Sequence, residues 1–251
     1  MDQSTFEKRT GLTGADVAVL RSVPVFSGLG ENVLTDLLSD SSVRHYPRDS
    51  ILFLQGDSAD RFFVIFKGWV RLFRQTADGH ESVVHVSGPG DSFAEAAIFD
   101  SHDFPVSAEV VEDVRLLSIP SESFIARLHE NADICFAMMA SLSRYNRILV
   151  QNIEQMAVKS STERLATFLE GLCGHHCNND CANCEISLPL DKGLIAGRLN
   201  MQPETLSRGF AKLKKLGVET NGSRIMVKDM EKLRAFARGD NGEGNGNGTK
   251  D

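Results

Sequence analysis

Two helices separated by a tight break are predicted between residues 190 and 216, where apolar residues recur at helical spacing. The apolar stripe of the first helix consists of Leu194, Ile195 and Leu199. Asn200-Met201-Gln202 interrupts that pattern, and Pro203 suits the first position of the next helix, where no backbone N–H is needed. The second apolar stripe consists of Leu206, Phe210 and Leu213, at spacings i, i+4 and i+7.

The second helix also carries a polar face near its start. That face consists of Glu204, Ser207 and Arg208. Lys212 and Lys215 continue it towards a basic flank. A short helix, a break and a second helix that begins with polar groups are typical of a helix-turn-helix, whose second helix reads base edges. Residues 218–227 follow as two short strands around Asn221-Gly222, so that a winged helix is predicted.

Charge supports a nucleic-acid partner for this segment. Residues 190–238 hold eleven Lys and Arg against five Asp and Glu, a balance of +6, whereas the whole chain carries −7. Such segregated positive charge fits attraction to phosphates. No apolar run approaches the roughly 20 residues of a membrane span, and the amino end lacks the apolar core of a signal peptide. We therefore expect a cytoplasmic protein.

Short apolar runs punctuated by turn residues fill the region from Val43 to Ile119. The predicted strands are residues 50–54, 62–66, 70–74, 83–86, 106–111 and 114–119. Strands spaced about ten residues apart indicate a small antiparallel jelly roll. One or two short helices are expected between residues 23 and 38, and the first 20 residues or so are expected to form a loose lead-in.

Helical spacing returns between Ser121 and Met156. A ladder with alternating steps of four and three residues consists of Met138, Leu142, Tyr145, Leu149, Asn152 and Met156. Such a seam predicts a parallel dimer of long helices, in which the polar Asn152 fixes the register. Packing of this helix on its own barrel is the alternative.

The predicted fold class is therefore α+β, with an antiparallel jelly roll, a long dimerisation helix and a winged helix-turn-helix in chain order. The predicted domains are a sensor domain at residues 22–120, the dimerisation helix at 121–158, the DNA-binding domain at 159–238 and a disordered Gly- and Asn-rich tail at 239–251.

Four of the five cysteines lie within twelve residues, and they are Cys173, Cys177, Cys181 and Cys184. In a cytosolic chain such a cluster favours metal or redox chemistry over structural disulfides. Four thiolates can hold either zinc or an iron–sulfur cluster, and the spacing does not choose between them. A redox-active or unused cysteine loop is the alternative.

Two motifs resemble the family of bacterial regulators named for the cyclic-AMP receptor protein and FNR. They are Gly88-Pro89-Gly90-Asp91-Ser92-Phe93-Ala94-Glu95-Ala96 and Gln202-Pro203-Glu204-Thr205-Leu206-Ser207-Arg208. The resemblance implies homodimers that bind two-fold DNA sites and contact RNA polymerase, with TTGAT-like half-sites read by Glu204, Ser207 and Arg208. It also adds Gln202 and Thr205 to the DNA-reading set.

The first motif corresponds to the effector cassette of that family, here defined as residues 88–107. The effector residues that the resemblance implies are Phe93, Ala94, Glu95, Ala96, Val106 and Ser107. Val106 stands where the phosphate-binding arginine of the cyclic-AMP pattern belongs, and a phosphate buried without a cation is costly. Cyclic nucleotide is therefore not expected as the effector.

The sequence of the cassette is similar to that of the nitric-oxide-responsive dissimilatory nitrate respiration regulators, some of which bind haem. We therefore predict a regulator that senses nitric oxide or oxygen through haem or through a metal on the cysteines. The first alternative is a regulator that binds an organic ligand in the jelly roll and carries a structural zinc. A metal-dependent enzyme with a basic accessory domain is the rival from another class. Against it, the chain shows no phosphate-cradling glycine loop, no paired carboxylates beside a histidine and no nucleophile motif.

Overall fold

The computed structural model describes residues 9–75, 81–100, 102–156, 159–176, 182–189 and 192–239. Within these ranges the side chains at positions 148, 149, 151–156, 175 and 176 are not described. The predicted tail lies outside the described residues from position 240 onwards.

The amino-terminal half is a β-rich domain with short helices at its ends. Its elements are α1 (Gly14–Ser22), α2 (Glu31–Leu37), β1 (Ser42–Tyr46), β2 (Ile51–Phe53), β3 (Arg61–Gln75), β4 (Glu81–Ser87), β5 (Ser92–Phe93), α3 (Glu95–Phe99) and β6 (Ser107–Pro120). The antiparallel sheet runs in the order β1-β6-β3-β4, with β2 on β6 and β5 on β3. Large apolar side chains fill its interior, among them Phe26, Phe62, Phe63 and Phe124. The predicted antiparallel β domain is confirmed.

Two pairs of predicted strands are each one long strand. Residues 62–66 and 70–74 belong to β3, and residues 106–111 and 114–119 belong to β6. Gly68, which reads as a turn residue in the sequence, instead sits at an irregularity in the β3–β6 register. Its φ is +82°, and a Cβ there would lie 2.2 Å from the Asp113 carbonyl oxygen. Glycine is thus needed for a close crossing of two strands rather than for a chain reversal.

The prediction of a loose lead-in is wrong for residues 14–20, which belong to α1. Thr13 and Asp16 form a capping box at the start of this helix. Asp16 also accepts hydrogen bonds of 2.5 and 2.7 Å from the Arg115 guanidinium on β6. Burial alone would raise the pKa of Asp16, but the hydrogen bonds from Arg115 and Thr13 outweigh burial and lower it. A charged pair therefore holds α1 against the sheet.

The helical region after the sheet divides into α4 (Ser121–Glu130) and α5 (Ala132–Met156). Asn131, with extended backbone angles, ends α4. The first position of the predicted dimer ladder, Met138, is only 6% exposed and packs in the core of its own domain. The ladder is wrong at this position, because the first turns of α5 cover the barrel.

The carboxy-terminal half is a winged helix-turn-helix, as predicted. Its elements are α6 (Ser161–His176), β7 (Cys184–Ser187), α7 (Lys192–Arg198), α8 (Pro203–Leu213), a 3-10 turn (Lys214–Leu216), β8 (Val218–Asn221), β9 (Arg224–Val227) and α9 (Met230–Ala237). Strand β7 was not predicted, and it pairs with β9 to make the hairpin a three-stranded sheet. This extra strand is short and lies next to the cysteine loop, where turn residues obscure the alternation.

Candidate nucleic-acid interface and effector cassette

The recognition helix α8 starts as the sequence suggests. Pro203 occupies its first turn, and Gln202 precedes it with an extended backbone. Glu204 in the first turn and Lys212 in the last turn both complement the helix dipole. The break from α7 is sharp because Asn200 adopts a left-handed φ of 49°.

One face of α8 is buried and the other faces solvent. Leu206, Gly209 and Leu213 form the buried face. Five of the six predicted reading residues are exposed, and Thr205 is half-buried; the exposed ones are Gln202, Glu204, Ser207, Arg208 and Lys212. Arg208 donates to the Thr205 hydroxyl over 3.3 Å. The structure thus brings the predicted reading residues together on one accessible surface, which is what contact with base edges requires.

A cleft of about 630 Å³ separates α8 from the hairpin tip. Its lining includes Ser207 on α8, Lys192 and Lys214 beside it, and Asn221-Gly222 at the turn of the hairpin. Gly222 has a φ of +62°, as a tight hairpin turn demands. Lys192 and Lys214 were not among the predicted DNA-contacting residues. In the sequence these two lysines contribute only to the net positive charge of residues 190–238. Their position beside the cleft follows from the fold.

The effector cassette begins as a tight turn and a short helix. The Asp91 carboxylate accepts a hydrogen bond of 2.8 Å from the Gly88 amide, and the Ser92 hydroxyl donates to Glu95 over 2.9 Å. Ala94 begins α3 with a φ of 70°, a conformation that a glycine adopts without strain. This strained alanine stands at the position where the cyclic-AMP pattern has glycine.

Aromatic rings fill the interior behind the cassette. Phe93 is buried, and its ring stacks on Phe63 at a centroid distance of 5.0 Å. Phe53 stacks on Phe104 at 3.7 Å and on Phe63 at 6.0 Å. Each such ring removes a large apolar area from water, so that this cluster stabilises the barrel directly.

The six predicted effector residues differ in how far they are exposed. Ser107 is buried and accepts a hydrogen bond from the Gln55 amide, Val106 is half-buried, and Ala96 is exposed. A cavity of about 350 Å³ in this domain is lined instead by Leu52, Phe53, Asp57, Ser58, Asp60, Arg61, Phe63 and Phe104. None of the six predicted residues belongs to the lining of that cavity.

Two arginines on the long strands are committed to protein carboxylates. Arg71 pairs with Glu109 and, at 2.8 Å, with Glu81. Arg115 pairs with Asp16, on the side of the sheet that α1 covers. Neither therefore replaces the cation that the cassette lacks at Val106.

The cysteine loop is described only at its ends. Cys173 near the end of α6 and Cys184 at the start of β7 are both buried in the hydrophobic core of the DNA-binding domain. Cys177 and Cys181 lie outside the described residues. In the part of the chain that the structure describes, no group of three or more His, Cys, Asp or Glu side chains could hold a metal ion.

Several large apolar side chains of α5 are exposed. Among the described side chains of this helix they are Phe136, Met139, Leu142, Tyr145 and Val150. Two of them, Leu142 and Tyr145, belong to the predicted dimer ladder. The side chains of Leu149, Asn152 and Met156 lie outside the described residues, so that this part of the ladder stays a prediction.

Comparison with known proteins agrees with this architecture. The cyclic nucleotide-binding domain family matches residues 43–131, and the Crp-like helix-turn-helix domain family matches residues 163–236. The FnrA transcriptional activator of Stutzerimonas stutzeri is 28% identical over 211 residues, which cover 81% of this chain and 84% of that protein. The CRP-like cAMP-activated global transcriptional regulator of Mycobacterium tuberculosis is 24% identical over 221 residues, covering 88% and 99%.

Solved structures extend the comparison to the whole fold. A protein from Ruegeria pomeroyi has 38% identity and a TM-score of 0.81, covering 89% of this chain and 97% of that one. DNR from Pseudomonas aeruginosa has 28% identity and a TM-score of 0.55, covering 90% and 99%. Among the described residues, none of the helices is both long and apolar enough to cross a membrane. With both domains matched in order, the chain belongs to the family of transcription regulators named for the cyclic-AMP receptor protein and FNR, which bind DNA and are not enzymes.

Proposed function

We propose that the chain acts as a homodimer that binds a palindromic DNA site and responds to a redox or gaseous signal through a metal centre on its cysteines. The observation that carries the DNA-binding part is the exposed polar surface of α8, held by a buried apolar face on the same helix. Two such helices related by a two-fold axis match two half-sites about one helical turn apart. Contact with RNA polymerase belongs to the same proposal and rests on family membership alone.

The dimer is supported by the exposed apolar side of α5. Phe136 is 66% exposed and Met139 is 52% exposed, although both are large apolar residues. A contiguous patch of this kind marks an interaction surface in a soluble protein. Leu142 and Tyr145 in this patch are three residues apart, as two successive positions of a heptad seam are, which supports pairing with the same helix of a second copy.

Charge placed in this patch tests the dimer. Met139→Glu buries a carboxylate in the proposed interface and is expected to give a monomer in sedimentation experiments, with loss of binding to a two-fold site. Val84→Glu is the control, because Val84 is an apolar residue of similar exposure, 54%, but lies on β4 rather than on α5. A Met139→Glu protein that remains dimeric contradicts the proposed interface.

The metal proposal rests on the chemistry of the cysteine cluster. Cys173 and Cys184 are 1% and 2% exposed, and both contact the same apolar core. A thiolate in such surroundings is costly unless a cation neutralises it. The described residues supply two of the four thiols, which fits one wall of a site that Cys177 and Cys181 complete. A metal held by these thiolates would supply a charge between α6 and β7, and both elements belong to the domain that carries α8.

Metal analysis of protein purified without oxygen tests this proposal. We expect iron with a broad visible absorbance, and loss of the iron in Cys181→Ser. Cys135→Ser is the matched control, since Cys135 lies on α5 and its thiol donates to the Leu128 carbonyl oxygen. A haem absorbance band, or wild-type protein free of metal, overturns the cysteine-bound sensor.

One observation favours a second candidate, in which the jelly roll binds a small organic ligand and the cysteines hold a structural zinc. The cavity of about 350 Å³ is lined by three phenylalanine rings and a few polar groups, as small-molecule pockets usually are. No histidine belongs to this lining, so that the cavity offers haem no axial nitrogen ligand. Colourless protein with one zinc per chain supports this candidate over the redox sensor.

A further inference from the structure

The effector domain and the DNA-binding domain meet at Trp69. It is the only tryptophan of the chain, and it is fully buried. Although Trp69 belongs to β3, it packs in the hydrophobic cluster of the DNA-binding domain, with its ring 6.1 Å from that of Phe168 on α6. Its indole N–H donates to the Ser187 carbonyl oxygen over 3.2 Å, and the Ser187 hydroxyl bonds to Glu112 on β6. We call this contact region the junction.

Arg198 completes the junction from the other side. It is the last residue of α7, the helix that precedes the recognition helix. Its guanidinium pairs with the Asp91 carboxylate at 2.7 Å and donates to the Val86 carbonyl oxygen. The same group lies over the rings of Trp69 and Phe168, at 5.7 and 5.6 Å from their centroids. Arg198 is one of the eleven cations of residues 190–238, but in the structure it pairs with the effector domain rather than facing DNA.

The partner of Arg198 is part of the effector cassette. Asp91 also closes the cassette turn by accepting from the Gly88 amide. A Cβ at Gly88 would lie 2.4 Å from the Trp69 ring, so that this turn packs directly on the junction. One carboxylate therefore ties the cassette to α7. Beside it, burial and then the charge of Arg198 lower the pKa of His85, while Asp91 opposes the shift.

The reading residues stay free in this arrangement. Glu204, Ser207 and Arg208 are exposed although α7 is fixed to the barrel. The junction thus does not cover the DNA-reading surface, and it sets the direction in which that surface points. In a dimer, the positions of the two recognition helices then follow from the positions of the two barrels.

We propose that Arg198 is a positioning residue for DNA reading, which through Asp91 and Trp69 fixes the separation and angle of the two recognition helices. The proposal rests on the proposed dimer at a palindromic site. Half-sites have to match the helices in distance and in rotation, because each added base pair rotates one half-site by about 34°. A fixed junction therefore makes binding selective for one spacing. Without this junction each DNA-binding domain is tethered more loosely. The dimer then gains less affinity at the natural spacing and loses less affinity at an altered spacing.

Spacing selectivity is the readout. The probe is the two-fold duplex site that the wild type enriches from a random pool, together with versions that carry one base pair more or less between the half-sites and a single half-site. For Arg198→Ala we expect about a tenfold loss of affinity on the natural spacing, since a hydrogen-bonded charge is removed. We expect affinities for the three spacings that agree within about twofold, and unchanged affinity for the single half-site.

Asp91→Asn tests whether the effect of Arg198→Ala comes from loss of the pair with Asp91 or from misfolding of the DNA-binding domain. It changes the effector domain only, and its amide oxygen can still accept from the Gly88 amide. We expect it to relax spacing selectivity in the same direction as Arg198→Ala, with a red shift of the Trp69 fluorescence in both variants as water reaches the junction. Arg21→Ala is the charge-matched control, because Arg21 forms an exposed pair with Glu31 and neither residue belongs to the junction.

The outcomes separate this inference from the proposed function. Wild-type protein that prefers one spacing, with Arg198→Ala and Asp91→Asn equally selective, overturns the positioning role and leaves the dimeric reader intact. Equal loss on the half-site and on all spacings also overturns it, because it shows damage to the domain itself. Wild-type protein that enriches no two-fold site contradicts the proposed function before the variants are compared.

Discussion

The DNA-reading surface and the effector cassette expose their candidate residues in opposite ways. On α8 and at Gln202 directly before it, five of the six predicted reading residues face solvent. In the cassette, Phe93 and Ser107 are buried, Ala94 is strained, and a cavity opens elsewhere in the domain. A surface that reads DNA needs only exposed polar groups at helical spacing, whereas a pocket depends on which side chains fill the interior.

This contrast explains why the sequence indicates the family of DNA-binding regulators but not the effector that the protein senses. Base reading uses arginine and other polar side chains that have the same chemistry in any such helix. The effector site has to match one ligand, so that Val106 in place of a phosphate-binding arginine changes its chemistry entirely.

The largest effect is expected at Gly68 in the effector domain. Gly68→Ala places a Cβ against the Asp113 carbonyl oxygen at a positive φ, which should lower the free energy of unfolding by about 3 kcal/mol or more. Urea unfolding measures it. Gly171→Ala in α6 is the control, because a Cβ there meets nothing within 4 Å and stability should rise by up to about 1 kcal/mol. Equal stabilities for the two variants refute the close strand crossing.

Arg208→Ala tests base reading on α8. It should cost about 1–3 kcal/mol on the selected site and relax the preference at one base position, while leaving binding to random DNA almost unchanged. Lys212→Ala is the contrasting variant, with a uniform loss on both DNAs and a salt dependence reduced by about one ion. Equal losses on specific and random DNA with Arg208→Ala mean that Arg208 contacts phosphate only.

Asp16 provides a pH dependence that belongs to the effector domain. Because its folded-state pKa lies below its unfolded value of 3.8, the carboxylate stabilises the fold above that pH, and the contribution is lost as the pH falls through the folded pKa. Asp16→Asn should therefore cost about 1–3 kcal/mol at pH 7 and much less in acid, by urea unfolding at both pH values. Asp36→Asn, at an exposed pair with Arg127, should change little at either pH.

The smallest effect is expected from cyclic AMP. Without an arginine at position 106, the cassette offers the phosphate no cation, so that a millimolar concentration should leave the melting temperature unchanged. Cyclic AMP that raises the melting temperature by several degrees shows that another group binds the phosphate. The variant Val106→Arg then tests whether an arginine at this position is sufficient for binding of cyclic AMP.

Local patterns predicted the recognition helix, the break at Asn200 and the hairpin at Asn221-Gly222, because each depends on residues close in sequence. Local patterns gave wrong predictions where contacts between distant segments determine the structure. Gly68 reads as a turn until β6 is known to cross it, and Met138 continues a dimer ladder until the barrel is known to cover it.

The junction could not be predicted for the same reason. Trp69, Asp91 and Arg198 are far apart in sequence, and each has an ordinary local interpretation. The capping box of Thr13 and Asp16 is different, since its signal is local and was available in the sequence.

Selection from a random duplex pool tests whether two recognition helices read a palindromic site. The chain, purified with and without oxygen, is allowed to enrich duplexes that are then sequenced. We expect an inverted repeat of TTGAT-like half-sites about one helical turn apart, with one base position relaxed by Arg208→Ala. Enrichment of a single unrepeated element, or of no element under either condition, contradicts this expectation.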